Sequence, residues 1–348
     1  QHYVATLAGF GGLLELLAWL GRIGGVHVRM AQGALGWIVG GGLVAMAIVA
    51  ATRAWEERGS WAQLTESRAE TLAMLRSPVT GARLTVGSSG EALVSEAGER
   101  FPIQGGVPVF LRPEDLNGAN LKYNHLYETI GGFYDDTQRV ASAMAGFNFD
   151  YYVTSYLSKL EVRLGDRVLE TSVGTGLNFK HLPRAIRRFG LDLSREMLTN
   201  CKANLRLWGL DGELFLGNAE CLPFADESFD VVFHVGGINF FSDRGKAIRE
   251  MVRVAKPGSL LLIADETEEH VKAAFEHIPI TSTYYQGRTD AVSAPVDLLP
   301  EGVEDVNLQI LNVVGRNRFY ALTFRKAARP VEPVVHPEFA IAGAYVGA

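Results

Sequence analysis

The chain has 348 residues and a formal net charge of −6 at pH 7. Hydrophobic residues make up 47% of it and charged residues 21%, a balance that excludes an intrinsically disordered chain. The negative net charge argues against a nucleic-acid partner, because proteins that bind DNA or RNA present a basic surface to the phosphates.

Residues 1–53 are predicted to anchor the chain to a membrane through one or two spans. Gly33–Thr52 contains 20 residues without a charge, and a helix needs about 20 apolar residues to cross a bilayer. The apolar stretch Val4–Leu20 is shorter and contains Glu15, whose charge is costly inside a bilayer, so it is predicted to span or to lie at the interface. A buried helical hairpin of a soluble protein is the alternative. A secretory signal is disfavoured, because no Lys or Arg precedes Val4.

The polar and charged residues 54–74 follow and are predicted to form a helical connector that leads away from the membrane surface. Basic residues are almost evenly divided between the two sides of Gly33–Thr52. The positive-inside rule therefore does not fix the orientation of the predicted span.

A small β module is predicted over residues 75–113, where short alternating segments are separated by turn glycines. Its second half, Phe101–Leu111 (FPIQGGVPVFL), resembles the zinc-ribbon-like module that accompanies several bacterial and eukaryotic methyltransferases. In this resemblance Ser77 and Thr80 stand at the cysteine positions, and neither is a usual zinc ligand. The module is therefore predicted to be degenerate and to bind no metal, an unrelated β hairpin being the alternative.

The only two cysteines, Cys201 and Cys221, lie outside this module. They are too few for a disulfide framework and do not have the spacing of a metal site, so they fit a reducing compartment.

Residues 114–328 are predicted to form an α/β domain with a parallel sheet and helices on both faces. Five strand-like segments alternate with helical patterns; they read RVLETSV, RRFGLDLS, GELFLGNA, FDVVFHVG and SLLLIADE. The closing segment VEDVNLQILNVVGRNRFYALTFRK predicts two strands that form an antiparallel hairpin at the sheet edge. Ligands bind such sheets at the carboxyl ends of the strands, near the point where the strand order reverses.

The first of these strands leads into a glycine loop, Val168–Gly176 (VLETSVGTG), whose spacing differs from the G-x-G-x-x-G of dinucleotide folds. Three more motifs follow: Gly190–Leu198 (GLDLSREML), Gly217–Val232 (GNAECLPFADESFDVV) and Glu250–Gly258 (EMVRVAKPG). The four motifs in this order resemble class I S-adenosylmethionine-dependent methyltransferases, in particular the subgroup of quinone-biosynthesis and small-molecule enzymes. The resemblance implies a Rossmann-like sheet and S-adenosylmethionine as the cofactor.

The resemblance also implies roles for four residues around the loop. Gly174 and Gly176 would let the backbone approach the methionyl and ribose parts of the cofactor, where a Cβ would clash. Glu170 would accept hydrogen bonds from the loop or from the ammonium group. Asp192 has the right place to accept both ribose hydroxyls.

Adenine recognition is implied for three further positions. Met197 falls where an apolar side chain flanks adenine, and a core methionine on a helix is the alternative. Asn218 and Ala219 stand where the family recognises adenine. Asp is usual at the position of Asn218, but an amide carbonyl can still accept from the exocyclic amine.

Tyr134 and His234 complete the set of candidate site residues. Tyr134 is predicted to contact the cofactor from a segment that closes over it, a core aromatic being the alternative. His234 is the candidate catalytic base, with Glu266 as the weaker one, and a capping histidine is the alternative. Methyl transfer needs mainly an aligned nucleophile, and only an acceptor that must lose a proton needs a base.

The sequence supports two functions. The first is a membrane-anchored methyltransferase acting on a small or lipophilic acceptor, with the soluble domain facing the cytoplasm at a bacterial inner membrane, because its cofactor is cytoplasmic. The second is a methyltransferase-like structural subunit of a membrane complex with little catalysis. The second is motivated by Ser77, Thr80 and Ser172, which replace family cysteines and a glycine. The proline-rich tail 329–348 is also predicted to be either a free end or an arm that, with the N-terminal helices, contacts a partner subunit.

Overall fold

The computed structural model describes residue 61 and residues 65–144, 146, 148–274, 293–313 and 316–328. The predicted membrane segment 1–53 and the tail 329–348 lie outside the described residues. Within the described part of the chain, no helix has the length and apolar character needed to cross a membrane.

The described chain begins with the small module. Helix α1 (Glu66–Met74) is followed by an antiparallel sheet of four strands, β1 (Leu84–Val86), β2 (Ala92–Ser95), β3 (Arg100–Gln104) and β4 (Val107–Pro108). Three helices come next, α2 (Gly118–Ile130), α3 (Tyr134–Met144) and α4 (Phe149–Leu157).

The larger sheet has seven described strands, β5 (Arg167–Glu170), β6 (Arg187–Asp192), β7 (Glu213–Leu216), β8 (Val231–Val235), β9 (Leu260–Glu266), β10 (Val303–Val313) and β11 (Arg316–Lys326). Helix α5 (Arg195–Trp208) joins β6 to β7, α6 (Arg244–Val254) joins β8 to β9, and α7 (Glu268–Ala274) follows β9.

The strand order is β10-β11-β9-β8-β5-β6-β7. Strands β5 to β9 are parallel, β11 runs antiparallel to β9, and β10 runs antiparallel to β11. The predicted Rossmann-like α/β sheet with an antiparallel hairpin at its edge is therefore confirmed. The order reverses between β5 and β8, so their carboxyl ends border the crevice in which such sheets bind ligands.

Two apolar clusters cover the two faces of this sheet. One joins Trp61, Phe101 and Phe110 of the module to α6 and to the sheet, while the other contains residues of α4 and α5. The rings of Phe110 and Phe215 have centroids 6.4 Å apart. The module thus shares a hydrophobic core with the larger sheet.

Backbone hydrogen bonds also join the module to strand β7. The amides of Phe110 and Leu111 both donate to the carbonyl of Leu216, at 2.7 and 3.1 Å, and Val109 bridges to the same residue in parallel. These contacts occupy the carboxyl end of β7 at Leu216.

Ser77 and Thr80, which occupy the cysteine positions of the resemblance to zinc ribbons, take part in a cluster of hydrogen bonds. The hydroxyl of Ser77 accepts from the amides of Val79 and Thr80, both at 3.1 Å. Glu99 accepts from the hydroxyls of Thr80 at 2.7 Å and Ser95 at 2.9 Å. Among the described residues no group of His, Cys, Asp and Glu could hold a metal ion. The kinship of this module with zinc ribbons stays a prediction.

We expect Glu99→Gln to lower the free energy of unfolding by about 1 kcal/mol at pH 7, since two hydroxyls lose a charged acceptor. The nearby hydroxyl of Ser77 lowers the pKa of Glu99 most, burial opposes this effect, and the hydroxyls of Thr80 and Ser95 lower the pKa further. A lowered pKa stabilises the fold above the unfolded value of 4.5, and this stabilisation is lost as pH falls through the folded pKa. Urea unfolding at pH 7 and pH 4, with exposed Glu96→Gln as the control, should show a difference that shrinks in acid; a constant difference would contradict the role of the charge.

Of the predicted connector 54–74, the structure describes residue 61 and residues 65–74. Thr65 caps helix α1 by accepting from the amide of Arg68, and Trp61 is fully buried. After the glycine loop the chain forms a short 3₁₀ helix (Leu177–His181). Few residues separate the loop from β6. One of them, Pro183, disfavours a helical conformation of the residue before it, so the helix is short.

Candidate cofactor site

The glycine loop lies at the carboxyl end of β5, beside the crevice. Gly174 and Gly176 have φ angles of +53° and +79°, a region that side chains other than glycine rarely adopt. A Cβ on Gly176 would lie 2.7 Å from the Sγ of Cys201, whereas a Cβ on Gly174 would meet no atom within 4 Å. Gly176 is therefore required by the packing of the protein, and Gly174 borders open space.

Asp192, the last residue of β6, holds this loop in place. Its Oδ2 accepts from the amide of Gly174 at 2.8 Å, and its Oδ1 accepts from the amide of Ser194 at 2.9 Å. Burial raises the pKa of Asp192 to about 6, against the backbone hydrogen bonds that lower it. Each carboxylate oxygen keeps a further lone pair, so Asp192 can also accept from ribose hydroxyls at the open space beside Gly174.

Glu170, the last residue of β5, is fully buried. Its Oε1 accepts from the side-chain amide of Asn178 at 2.5 Å, and Asn178 in turn accepts from the hydroxyl of Tyr156 at 2.7 Å. Its Oε2 has no hydrogen-bond partner, and burial raises its pKa well above the usual range. An unpartnered buried carboxylate oxygen costs free energy, and an ammonium group is a donor that would satisfy it.

Three predicted adenine contacts lie near the carboxyl ends of β6 and β7. Met197 and Ala219 are 2% and 5% exposed. The carbonyl of Asn218 accepts from the amide of Glu220 at 2.8 Å, which leaves one lone pair on that oxygen for a ligand. The burial of Met197 agrees with both interpretations of that residue, so its contact with adenine stays a prediction.

The arm formed by α2 and the start of α3 is bound to the cofactor loop by polar contacts that the sequence did not reveal. Asp135 accepts from the hydroxyl of Thr175 at 2.5 Å and from the amide of Asn204 at 2.8 Å. Asn204 also donates to the carbonyl of Thr175 at 3.0 Å. Thr175 lies between the two loop glycines, so Asp135 fixes the loop from the side of the arm.

Further contacts lie earlier on the same arm. The side-chain amide of Asn124 donates to the carbonyl of Leu193 at 2.9 Å, and Glu128 accepts from the hydroxyl of Ser194 at 2.8 Å. Positions 124 and 128 are four residues apart and therefore lie on one face of α2.

Tyr134, the predicted lid contact, begins α3 immediately before Asp135. Its ring lies 6.1 Å from that of Tyr127 in an edge-to-face arrangement. Burial and the nearby Glu266 raise its pKa. Its side chain is half-buried, and its contact with the cofactor stays a prediction.

We expect Asp135→Ala to accelerate amide hydrogen exchange in α2 and α3 by about thirtyfold, because the arm loses two hydrogen bonds worth about 1 kcal/mol each. The neighbouring Asp136 is exposed, so Asp136→Ala is the matched control. Equal exchange in both variants would mean that apolar packing alone holds the arm.

His234, on β8, is completely buried. Its Nδ1 lies 3.2 Å from the hydroxyl of Thr171, and its Nε2 has no hydrogen-bond partner. Burial lowers the pKa of His234 to about 4, against the nearby Asp265, which raises it. The imidazole is therefore neutral at pH 7, as a base must be, but only weakly basic. Its catalytic role stays a prediction.

The loop after β8 is held by Asp265 of β9. Asp265 accepts from the amide of Gly237 at 3.1 Å, and from the amide and side chain of Asn239 at 3.2 and 3.0 Å. Burial and the neighbouring Asp265 raise the pKa of Glu266 well above its usual range. Glu266 thus resists ionisation, which weakens it as a base at neutral pH.

Comparison with known proteins identifies the class of this domain. Residues 169–263 match the family model described as a methyltransferase domain. Together with the sheet order, this match supports a class I methyltransferase domain with S-adenosylmethionine as its cofactor. The roles of Glu170, Gly174 and Asp192 toward that cofactor stay predictions.

Three curated relatives illustrate the likeness. Phthiotriol/phenolphthiotriol dimycocerosates methyltransferase of Mycobacterium tuberculosis is 33% identical over 156 residues, which cover 44% of this chain and 52% of the relative. Ubiquinone/menaquinone biosynthesis C-methyltransferase UbiE of Cronobacter sakazakii is 36% identical, with 35% and 49% covered. Methyltransferase GfsG of Streptomyces halstedii is 25% identical, with 64% and 85% covered. The chain spans about half the length of the first two.

Proposed function

We propose that this chain is a membrane-anchored methyltransferase that transfers the methyl group of S-adenosylmethionine to a small or lipophilic acceptor. The main support for the proposal is the arrangement of Glu170 and Asp192 around Gly174. Open space borders Gly174, Asp192 holds its amide, and Glu170 has an unpartnered oxygen. A domain that had become purely structural would have no need of this combination.

We assign a different part of the cofactor to each of the candidate binding residues. Asp192 would accept from the ribose hydroxyls, Glu170 would accept from the ammonium group, and Asn218 with Ala219 would receive adenine. The bound cofactor supplies a methyl group activated by its sulfonium charge. The contribution of the chain is then to hold the acceptor nucleophile in line and to exclude water.

The acceptor class is proposed from the relatives and from the N-terminal sequence. The names of two relatives refer to phthiotriol dimycocerosates and to ubiquinone or menaquinone. The uncharged stretch Gly33–Thr52 would keep the domain at a membrane, where a lipophilic acceptor is concentrated. The cytoplasmic face of a bacterial inner membrane would supply the cofactor.

A base is needed only if the acceptor must lose a proton during transfer. His234 is our candidate, because its Nε2 has no hydrogen-bond partner and can accept a proton in the tautomer that carries hydrogen on Nδ1. The candidate requires the loop after β8 to move, since His234 is completely buried.

The experiment is methyl transfer in a membrane fraction. With S-adenosylmethionine labelled at its methyl group, we expect the label to enter the organic extract when wild-type protein is present but not with Asp192→Ala. If the wild type binds the cofactor without transferring label to lipid, soluble small molecules are the acceptors to test next. If it binds no cofactor at all, the chain is instead a structural subunit, and it should then co-purify in fixed ratio with a membrane complex.

A further inference from the structure

Strand β10 forms an edge of the described sheet. It pairs with β11 on one side, and the strand order places no described strand on its other side. The segment Val306–Leu311 reads VNLQIL and contains neither a charge nor a proline. Proteins usually protect such an edge with charges, prolines or a covering element, because it pairs readily with another strand.

The first apolar feature of this edge is a stripe on one face of β10. Val306, Leu308 and Ile310 are 46%, 43% and 52% exposed, and alternate residues of a strand share a face. Leu308 and Ile310 stand opposite Leu322 and Tyr320 of β11, which belong to the apolar cluster under α6. The exposed apolar stripe on β10 is therefore continuous with the buried apolar cluster on the same face of the sheet.

The other face of the segment is polar but uncharged. It carries Asn307 and Gln309, both exposed, and Gln309 accepts from the ammonium of Lys159. A register shift between Glu304 and Asn307, with a φ of +53° at Asp305, ends the regular part of the strand. Asp305 is paired with Arg325 at 3.4 Å. The acidic residues thus stand beyond the uncharged segment.

We propose that two copies of this chain pair antiparallel through their β10 edges, around a two-fold axis at Leu308. The segment VNLQI is self-complementary in chemistry about that residue. In this register Leu308 meets its own copy, and the other opposed pairs are Val306 with Ile310, Asn307 with Gln309, Asp305 with Leu311 and Glu304 with Asn312. From residue 306 to residue 310, apolar residues therefore meet apolar residues and amides meet amides. Beyond that stretch Asp305 faces Leu311 and Glu304 faces Asn312, so no like charges stand opposite one another.

A second copy accounts for both faces at once, which favours it over other occupants. A lipid surface would cover the stripe of Val306, Leu308 and Ile310, but would leave the backbone groups of the edge without hydrogen-bond partners. An unrelated apolar strand would pair the backbone, but would place apolar side chains opposite Asn307 and Gln309. An isologous contact of this kind needs only one surface patch to be compatible with itself.

Sedimentation velocity over a range of concentrations tests the pairing on the whole 348-residue chain. We expect the wild type to dimerise and Leu308→Lys to raise the dimer dissociation constant at least tenfold, because two ammonium groups would meet at the axis. Leu207 is 79% exposed and lies on α5, which packs against β7 at the opposite end of the strand order from β10, so Leu207→Lys controls for a charge added to the surface. A monomeric wild type, or a Leu308→Lys chain that dimerises as well as the wild type, overturns the proposal.

Oxidative cross-linking tests the register separately from stability. In the proposed pairing only residue 308 meets itself, so Leu308→Cys should give a disulfide-linked dimer. Ile310→Cys should not, because its own copy lies several residues away along the strand and a disulfide needs Cα atoms within about 7 Å. Equal cross-linking of the two variants, or none with Leu308→Cys, contradicts the register.

Discussion

Replacing Asp192 by alanine is expected to weaken the binding of S-adenosylmethionine about 100-fold or more. Two hydroxyls of the ribose lose a charged acceptor, and hydrogen bonds to charged groups contribute about 1.5–3 kcal/mol each. The variant also releases the amide of Gly174 that Asp192 holds at 2.8 Å. Isothermal titration calorimetry would measure the loss.

Controls separate the loss of the carboxylate from a general loss of structure. Asp192→Asn keeps the shape of the side chain and should still weaken binding, because its NH₂ group cannot accept. Asp211 is exposed, so Asp211→Ala should bind like the wild type. Unchanged affinity in Asp192→Ala would show that the ribose is held elsewhere.

The pH dependence of binding has a defined sign. Asp192 has a pKa of about 6, and the ionised form is the better acceptor for hydroxyl groups. The cofactor should therefore bind more weakly as pH falls through 6. The raised pKa also means that this buried carboxyl favours the folded state below its unfolded value of 3.8, and that this contribution is lost as pH rises through 6.

The second large effect is expected from substituting the two loop glycines. Alanine at Gly176 should mainly lower stability, whereas alanine at Gly174 should mainly weaken cofactor binding. Gly176→Ala places a methyl group 2.7 Å from the Sγ of Cys201 and forces alanine into a left-handed conformation. Overpacking costs about 1–3 kcal/mol and the conformation about 1–2 kcal/mol, so unfolding should become easier by about 3 kcal/mol. Denaturant titration would measure this.

Gly174→Ala is the matched variant. Its φ of +53° carries a similar conformational cost, but no protein atom lies within 4 Å of the added methyl group. We expect a loss of only about 1 kcal/mol in stability, together with at least tenfold weaker cofactor binding. Equal destabilisation by both variants, with normal binding by Gly174→Ala, would contradict this division.

A double variant tests the contact beneath Gly176. Removing the sulfur in Gly176→Ala/Cys201→Ala should recover the overpacking cost but not the conformational cost, so the two changes should be non-additive. Additive losses would mean that the loop shifts away from Cys201 when the methyl group is added.

Much of the α/β domain could be predicted from the sequence because its strands are short apolar runs separated by turn residues. The same runs placed Glu170 and Asp192 at strand ends, where the structure has them. The pattern of apolar residues in the sequence indicates which positions are buried, and burial of the apolar side chains determines where these strands form.

The polar contacts could not be predicted in this way. Asp135 meets Thr175 across 40 positions, and the meeting depends on how α3 packs after it has formed. Similarly, nothing in the pattern around Glu99 indicates that Thr80 and Ser95 donate to it. Tertiary packing determines which groups a polar side chain meets. Hydrophobic periodicity gives no information about that packing.

The contacts between the module and β7 have a consequence for assembly. With the carbonyl of Leu216 engaged by Phe110 and Leu111, the carboxyl end of β7 is already paired within the chain itself. Among the described strands of the large sheet, β10 is then the edge strand without such a pairing, and a pair formed there would use it. The module would in this way favour a closed pair over a fibre that grows from both edges of the large sheet.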